Sequence, residues 1–351
     1  MTDEPLDSLT PGERALLDDP ATHASFVQVP LAGRLVEAIR CQGLTWHMSS
    51  FEGASLRDVV FVDCTFSGVL FTDSRLERVT FERCRFVDCR FERTWLDTVL
   101  GVACTLEETT WRKPELRACR FEGSTLSGGW FEDAHIALHM QGGVLRETRF
   151  TRCSFDVLQL SETRVEALRL SYCTLQRFQL QFCAVERLQA LGGACVSLQV
   201  YAGSLRDVKL GEWSMERMQV EDVGTVESLH INDCQLGELS LLSVLIDDLY
   251  VYKTSVSVLT IQDGRVAGWF THSALGPGSS ISDGALQDFF WDESECDGLL
   301  MRDVLLENGL CARGARFRDL RLVQLRYSPQ FELVTEGASF ERSDTFGRST
   351  P

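Results

Sequence analysis

The sequence predicts an all-β solenoid, and three observations predict it. A large apolar residue recurs at every fifth position, a small residue stands two places before it, and hydrophobic residues make up 44% of a 351-residue chain. The stretch FVDCTFSGVLFTDSRLERVTFERCRF shows the first at its clearest: Phe61, Phe66, Phe71, Leu76, Phe81 and Phe86 are five apart. A helix repeats near 3.6 residues and a strand near 2, so neither element alone would gather these side chains on one face. A short fixed period maintained over a long chain is the mark of stacked repeats.

The period starts at Phe26 and runs through Leu31, Val36, Cys41, Trp46, Phe51 and Leu56 to Ile136, with Gly101 as the one non-apolar position. After Met140 it slips by one residue and continues from Leu145 to Val220. A second slip, in the other sense, starts Val226, and that phase reaches Cys311 with Thr271 and Gly276 as exceptions. One more inserted residue leads to Phe317, Leu322 and Tyr327. The place two before each core residue is mostly small: Ala54, Cys64, Ser74, Cys84, Cys89, Thr94, Cys104, Cys119, Ser124 and Ala134.

This pairing of a small residue at i−2 with Phe or Leu at i resembles the pentapeptide-repeat family over roughly residues 26–327. The resemblance implies a right-handed quadrilateral β-helix, five residues to a side and twenty to a coil. The chain departs from the family's Asp or Asn at i−1, carrying Ser55, Thr65, Arg75, Thr80 and Arg85 there. Physical reasoning supports the same architecture. With i and i−2 inward, backbone groups pair between coils at about 4.8 Å, which satisfies otherwise costly buried amides. About fifteen coils would make a rod on the order of 70 Å long.

Four segments follow. Residues 1–25 read as an N-terminal cap: Thr10-Pro11-Gly12-Glu13 supplies an N-cap, a proline at the first helical position and a capping-box acid, so Pro11 to Asp18 is expected as a short helix over the first coil. Residues 26–140 form Phe-rich coils. Residues 141–327 continue them with Leu, Val and Ile, and from Leu158 onward the i−2 place alternates between large and small every ten residues. Flat strand walls such as Leu168-Arg169-Leu170 are expected there, with a more regular square in the Phe-rich part. Residues 328–351 lack the period and read as a C-terminal cap or tail.

No run of eighteen apolar residues occurs and the N-terminus is acidic, so a soluble cytoplasmic protein without a secretory segment is expected. The net charge of −17 disfavours nucleic acid and anionic lipid as direct partners. The charge is uneven: residues 226–310 hold 3 basic and 14 acidic side chains, while residues 141–225 are balanced at 10 and 10.

Of the 13 cysteines, nine occupy i−2, and Cys41, Cys195, Cys296 and Cys311 fall at i; with no CxxC spacing, they read as buried core in a reducing compartment. His135 and His139 lie close but have no metal motif around them. The segment Ala134 to Glu147 reads as a bulge or bend. No nucleotide-binding loop, nucleophile elbow or calcium loop is present, so no enzyme activity, no catalytic or metal residue and no cofactor is expected.

The segment Gly268 to Gly298 stands out by its broken period, its Gly-Pro-Gly corner and its acids among aromatics. Phe289 and Trp291 fit inward places. Asp288, Phe290, Asp292, Glu293, Glu295 and Asp297 are the candidate partner-binding residues, since exposed aromatics with charge are an interface composition. The function expected first is therefore a non-enzymatic scaffold that binds a protein partner through its outer faces. The alternative comes from the resemblance: some pentapeptide-repeat proteins mimic B-form DNA and bind DNA gyrase or topoisomerase IV, protecting them from inhibitors. A third reading is a secretion-associated effector or adaptor.

Overall fold

A computed structural model describes residues 7–18 and 31–344. Phe26, where the period starts, and the end of the tail from 345 onward lie outside the described residues. The fold is an all-β parallel β-solenoid, and every strand pairing shown is parallel. The chain divides into two compact units, Met1–Leu175 and Gln176–Pro351.

In the first unit the expected helix forms over Pro11–Asp18. Glu13 accepts hydrogen bonds from the Thr10 amide and hydroxyl, each at 2.8 Å, and the Glu13 amide donates back to Thr10 Oγ1 at 3.3 Å. These bonds hold the Glu13 carboxyl below its ordinary range. Leu17 is buried, Arg14 donates to the Ala38 carbonyl at 2.8 Å, and Arg34 reaches Glu13 at 3.3 Å, so the helix is fastened to the first coil. Before it, Asp7 and Ser8 add a short strand alongside Arg34 and Leu35.

From Ser55 to Arg112 the strands are three residues long, and each pairs with the strand twenty residues on: Phe61↔Phe81↔Gly101, Phe66↔Phe86↔Leu106, Phe71↔Phe91↔Trp111. Twenty residues therefore make four five-residue sides. Because like sits over like, the rings stack: Phe71, Phe91, Trp111, Phe131 and Phe150 form one column with centroids 3.7 to 5.2 Å apart. Gly101 is no defect in this pattern. A Cβ there would lie 2.6 Å from the Phe121 ring, which occupies the space that a side chain would need.

Corners fall every fifth residue, each on a left-handed residue such as Asp58, Asp63, Asp73, Arg78, Arg83 and Arg93, all with φ near +52°. That conformation is unfavourable outside glycine. Here the corner side chains pair up the column: Arg78 to Asp58, Arg83 to Asp63 and Arg93 to Asp73, each at 2.7 Å.

The small residue after each such corner has a second property besides size. Cys84 Sγ donates to the Phe61 carbonyl at 3.4 Å, Cys89 to Phe66 at 3.3 Å, Cys104 to Phe81 at 3.2 Å, and Ser124 Oγ to Gly101 at 3.3 Å. At these positions the i−2 side chain is a donor that satisfies an inward carbonyl of the preceding coil. All thirteen cysteines are buried. Burial pushes the Cys89 thiol up to about 11 and Cys119 up to about 12, which keeps them protonated and unreactive.

The slip placed after Met140 occurs four residues earlier: Leu116 pairs with Ile136, but Cys119 pairs with Leu138, so one residue is missing at Ala137. His135 and His139 project from opposite ends of this strand and contact Ser154 and Gln159 respectively, not each other.

Strands of eight residues, already present at Glu115–Glu122 and Ser154–Ser161, recur in the second unit at Gln235–Leu242, Leu245–Tyr252, Ser255–Gln262 and Ala285–Asp292. Left-handed corners now come every ten residues, at Asp233, Ser243, Lys253 and Asp263. This explains the alternation at i−2. After a left-handed corner the side chain is often small, as at Cys234 and Thr254, with Trp213 and Val244 as larger exceptions. At the intervening bends the backbone stays extended, and Leu239, Leu249 and Leu259 reach inward.

Thr271 and Gly276 break the sequence period because the structure makes two compensating slips. Ile246 pairs with Val266 but Leu249 with Gly268, so one residue is missing near Ala267, and Phe270 and Leu275 take the buried places. The Gly-Pro-Gly corner restores the count, since Ile261 again pairs with Ile281. A further correction concerns Cys311. It pairs with the outward Phe290 and its Sγ lies 3.6 Å from Asp292, and the neighbouring inward place belongs to Ala312.

The C-terminal stretch lacks the five-residue spacing yet pairs in the same way. Gly309 meets Glu332, Phe317 meets Phe340 with rings 5.2 Å apart, and the Leu320 amide donates to Ser343 Oγ at 3.0 Å. Among the described residues no helix is long and apolar enough to cross a membrane.

Two outcomes follow from this geometry. Gly101→Leu should destabilise the first unit by about 1–3 kcal/mol through overpacking against Phe121, and adding Phe121→Leu should recover most of that loss; thermal denaturation of the two variants measures both. Asp58, Asp63 and Asp73 are held below the ordinary carboxylate range by hydrogen bonds from their arginines. The stability they contribute is complete above their unfolded value of about 3.9 and is lost as pH falls through the lower folded values. A variant with Arg78, Arg83 and Arg93 changed to Gln should show a shallower loss of melting temperature between pH 5 and pH 2, followed by circular dichroism.

Candidate interaction face

One wall of the second unit carries four outward aromatic side chains on adjoining coils, Trp269 exposed and Tyr250, Tyr252 and Phe290 half-buried. Its strands are the segment ending at Asn232 and the strands Leu245–Tyr252, Arg265–Thr271, Ala285–Asp292 and Leu305–Cys311. Inward, Leu229, Ile231, Leu249, Val251, Phe270, Phe289 and Trp291 form the core. Strand alternation then fixes what faces out. The register His230↔Tyr250↔Trp269↔Phe290 sets one column, and Asn232↔Tyr252↔Thr271↔Asp292 sets the next.

Rings touch along and across these columns. Trp269 and Phe290 lie 4.3 Å apart, Tyr250 and Tyr252 6.1 Å, His230 and Tyr250 5.7 Å, and Tyr252 and His272 5.8 Å. Trp269 is 44% exposed. Acids surround the rings. His230 Nε2 is 3.1 Å from Asp248, His272 Nδ1 is 3.1 Å from Glu293, and Asn308 Nδ2 donates to Asp288 at 3.0 Å. Lys253 sits 5.0 Å over the Tyr252 ring, and this contact raises its pKa.

The six candidate residues do not share one surface. Phe290 and Asp292 lie on this wall, between left-handed corners at Asp288 and Glu293, both with φ +48°. Glu295 and Asp297 are past the corner, where they line a groove of about 490 Å³ with Ser255, Pro277, Arg316 and Arg318. Both are paired, Glu295 with Arg316 at 3.2 Å and Asp297 with Arg318 at 3.9 Å. The wall's other members, Tyr250, Tyr252, Trp269 and Asn308, were not marked by the sequence reading. Stepping by five through Val266 puts Trp269 in an inward place, and only the missing residue near Ala267 turns it out. The spacing of 19 to 21 residues among Tyr250, Trp269 and Phe290 was the signal to follow. No group of three or more His, Cys, Asp or Glu side chains among the described residues is arranged to hold a metal.

In comparison with known proteins, residues 51–95 match the family model for pentapeptide repeats, in nine copies. No curated protein matches the sequence. Among solved structures, QnrB1, a plasmid-mediated fluoroquinolone resistance protein, is 12% identical over 57% of this chain and 80% of its own, with a TM-score of 0.20. HetL of the cyanobacterium Nostoc sp. strain PCC 7120, a pentapeptide repeat protein involved in heterocyst differentiation regulation, is 12% identical over 86% and 87%, with a TM-score of 0.19. The A-module of the Azotobacter vinelandii mannuronan C-5 epimerase AlgE6 is 9% identical over 95% and 96%, with a TM-score of 0.29. At these TM-scores none of the three bears on function.

The wall's exposed indole should be readable in solution. Trp269 stands among carboxylates, so cesium should quench tryptophan emission more than iodide does, and Trp269→Phe should remove that preference.

Proposed function

We propose that this chain, whose residues 51–95 match the pentapeptide-repeat model, is a non-enzymatic pentapeptide-repeat scaffold whose aromatic wall in the second unit docks a protein partner. The observation that carries this reading is the ladder of Tyr250, Tyr252, Trp269 and Phe290, held outward by the register of paired strands on adjoining coils. Large aromatic side chains fixed on a rigid sheet lose little freedom on binding, and aromatic residues dominate the energetics of protein interfaces. The acids around them give the wall a sign, which adds orientation and selectivity to apolar contact.

The second reading, a DNA mimic that binds gyrase or topoisomerase IV, draws on the net charge of −11 over residues 226–310. A mimic needs long rows of uncompensated acid. Here Glu295, Asp297 and Glu307 are answered by Arg316, Arg318 and Arg265, and the rings interrupt the remaining acids. The scaffold reading is therefore preferred.

Capture of partners from the native cell separates the two. The wild-type chain should retain a protein partner that Trp269→Ala and Phe290→Ala each weaken by about 30-fold, as expected for an aromatic anchor contributing about 2 kcal/mol. Gyrase supercoiling should be unchanged at micromolar protein. Inhibition or drug protection in that assay would instead establish mimicry.

A further inference from the structure

We propose that the cavity beside Phe290 is a pocket for an arginine side chain of the docked partner. The proposal rests on the reading that the wall binds a protein, and it names the chemistry of the contact. The cavity has a volume of about 380 Å³ and is lined by Asp288, Phe290, Asn308, Gly309, Gln330 and Glu332, among others. No basic residue lines it.

Its donors and acceptors are arranged by the coil register. Asn308 donates to Asp288 Oδ2 at 3.0 Å, which fixes the carboxylate and leaves its other oxygen facing the space above Gly309. A Cβ on Gly309 would lie 3.7 Å from Asp288 Oδ1 and 3.9 Å from the Glu332 carbonyl oxygen. The missing side chain thus opens a gap between one carboxylate and one backbone acceptor, directly where Gly309 pairs with Glu332. The exposed Glu332 carboxylate and the Gln330 amide complete the rim, and the Phe290 ring supplies an apolar face beside Trp269.

A guanidinium matches this set. It presents five N–H donors in one plane, it stacks on aromatic rings, and its charge is opposite to that of Asp288 and Glu332. An ammonium would meet the charges but would not use the ring and the spread of acceptors in the same way. Of the cations on and beside these strands, Arg265 is paired with Glu307 at 2.9 Å and Lys253 sits over Tyr252, and neither lines the cavity.

The test is titration of the full-length protein with a labelled hexa-arginine peptide and, separately, hexa-lysine, read by fluorescence anisotropy. Hexa-arginine should bind at least several-fold tighter than hexa-lysine. Asp288→Asn and Glu332→Gln should each weaken it by about tenfold, as expected for a lost charged hydrogen bond. Gly309→Leu, which fills the gap, should abolish it, while Asp263→Asn on another side should change it less than twofold. Equal loss from Asp263→Asn, unchanged binding in Gly309→Leu with native circular dichroism, or equal affinity for hexa-lysine would each overturn the pocket. Failure of the pocket with partner capture still lost in Trp269→Ala leaves the wall reading intact. Hexa-arginine binding with capture unaffected by Trp269→Ala overturns the wall reading and leaves the pocket.

Discussion

Everything in this protein depends on backbone pairing between residues about twenty apart. No coil can satisfy its own amides and carbonyls, so each strand is completed by the coil before and the coil after. Because side chains alternate inward and outward along a strand, the register that closes those hydrogen bonds also decides which residues are core. The apolar period, the small donors at i−2 and the left-handed corners are three consequences of that single requirement. At Cys84, Cys89, Cys104 and Ser124 an inward carbonyl gives the i−2 side chain a role that alanine, found at Ala54 and Ala134, lacks.

Much of the fold was legible because its determinants are periodic. The spacing of Phe61 to Phe86, the capping box at Thr10 and Glu13, and the alternation from Leu158 onward each report a local rule that repeats, and the structure has the corresponding solenoid, helix and eight-residue strands. Where the rule is broken by one residue the sequence becomes ambiguous. A counting argument can see that the phase differs on either side of Ala137 or Ala267, but the point of change is set by which backbone pairs survive. Gly101 illustrates the same limit: its neighbour in space, Phe121, is twenty residues away and fills its place.

The candidate site was half legible for the same reason. Phe290 and Asp292 follow from simple alternation within one strand, whereas their company with Tyr250 and Trp269, and that of Asp288 with Asn308, is a relation between coils. Glu295 and Asp297 looked continuous with them in sequence but are separated by the corner at Glu293. Linear proximity overstates a surface wherever a left-handed residue intervenes, and residues nineteen to twenty-one apart are the true neighbours.

The paired slips at Ala267 and the Gly-Pro-Gly corner have a genetic consequence. Deletion of a single codon in a solenoid would ordinarily invert the exposure of every downstream side chain, a change few chains could survive. A second lesion of opposite sense within a dozen codons confines the inversion to one patch. Such a pair brings an indole from a core phase to the surface with the remaining coils undisturbed. Surfaces of this architecture can therefore be rewritten by short compensating indels as well as by substitution.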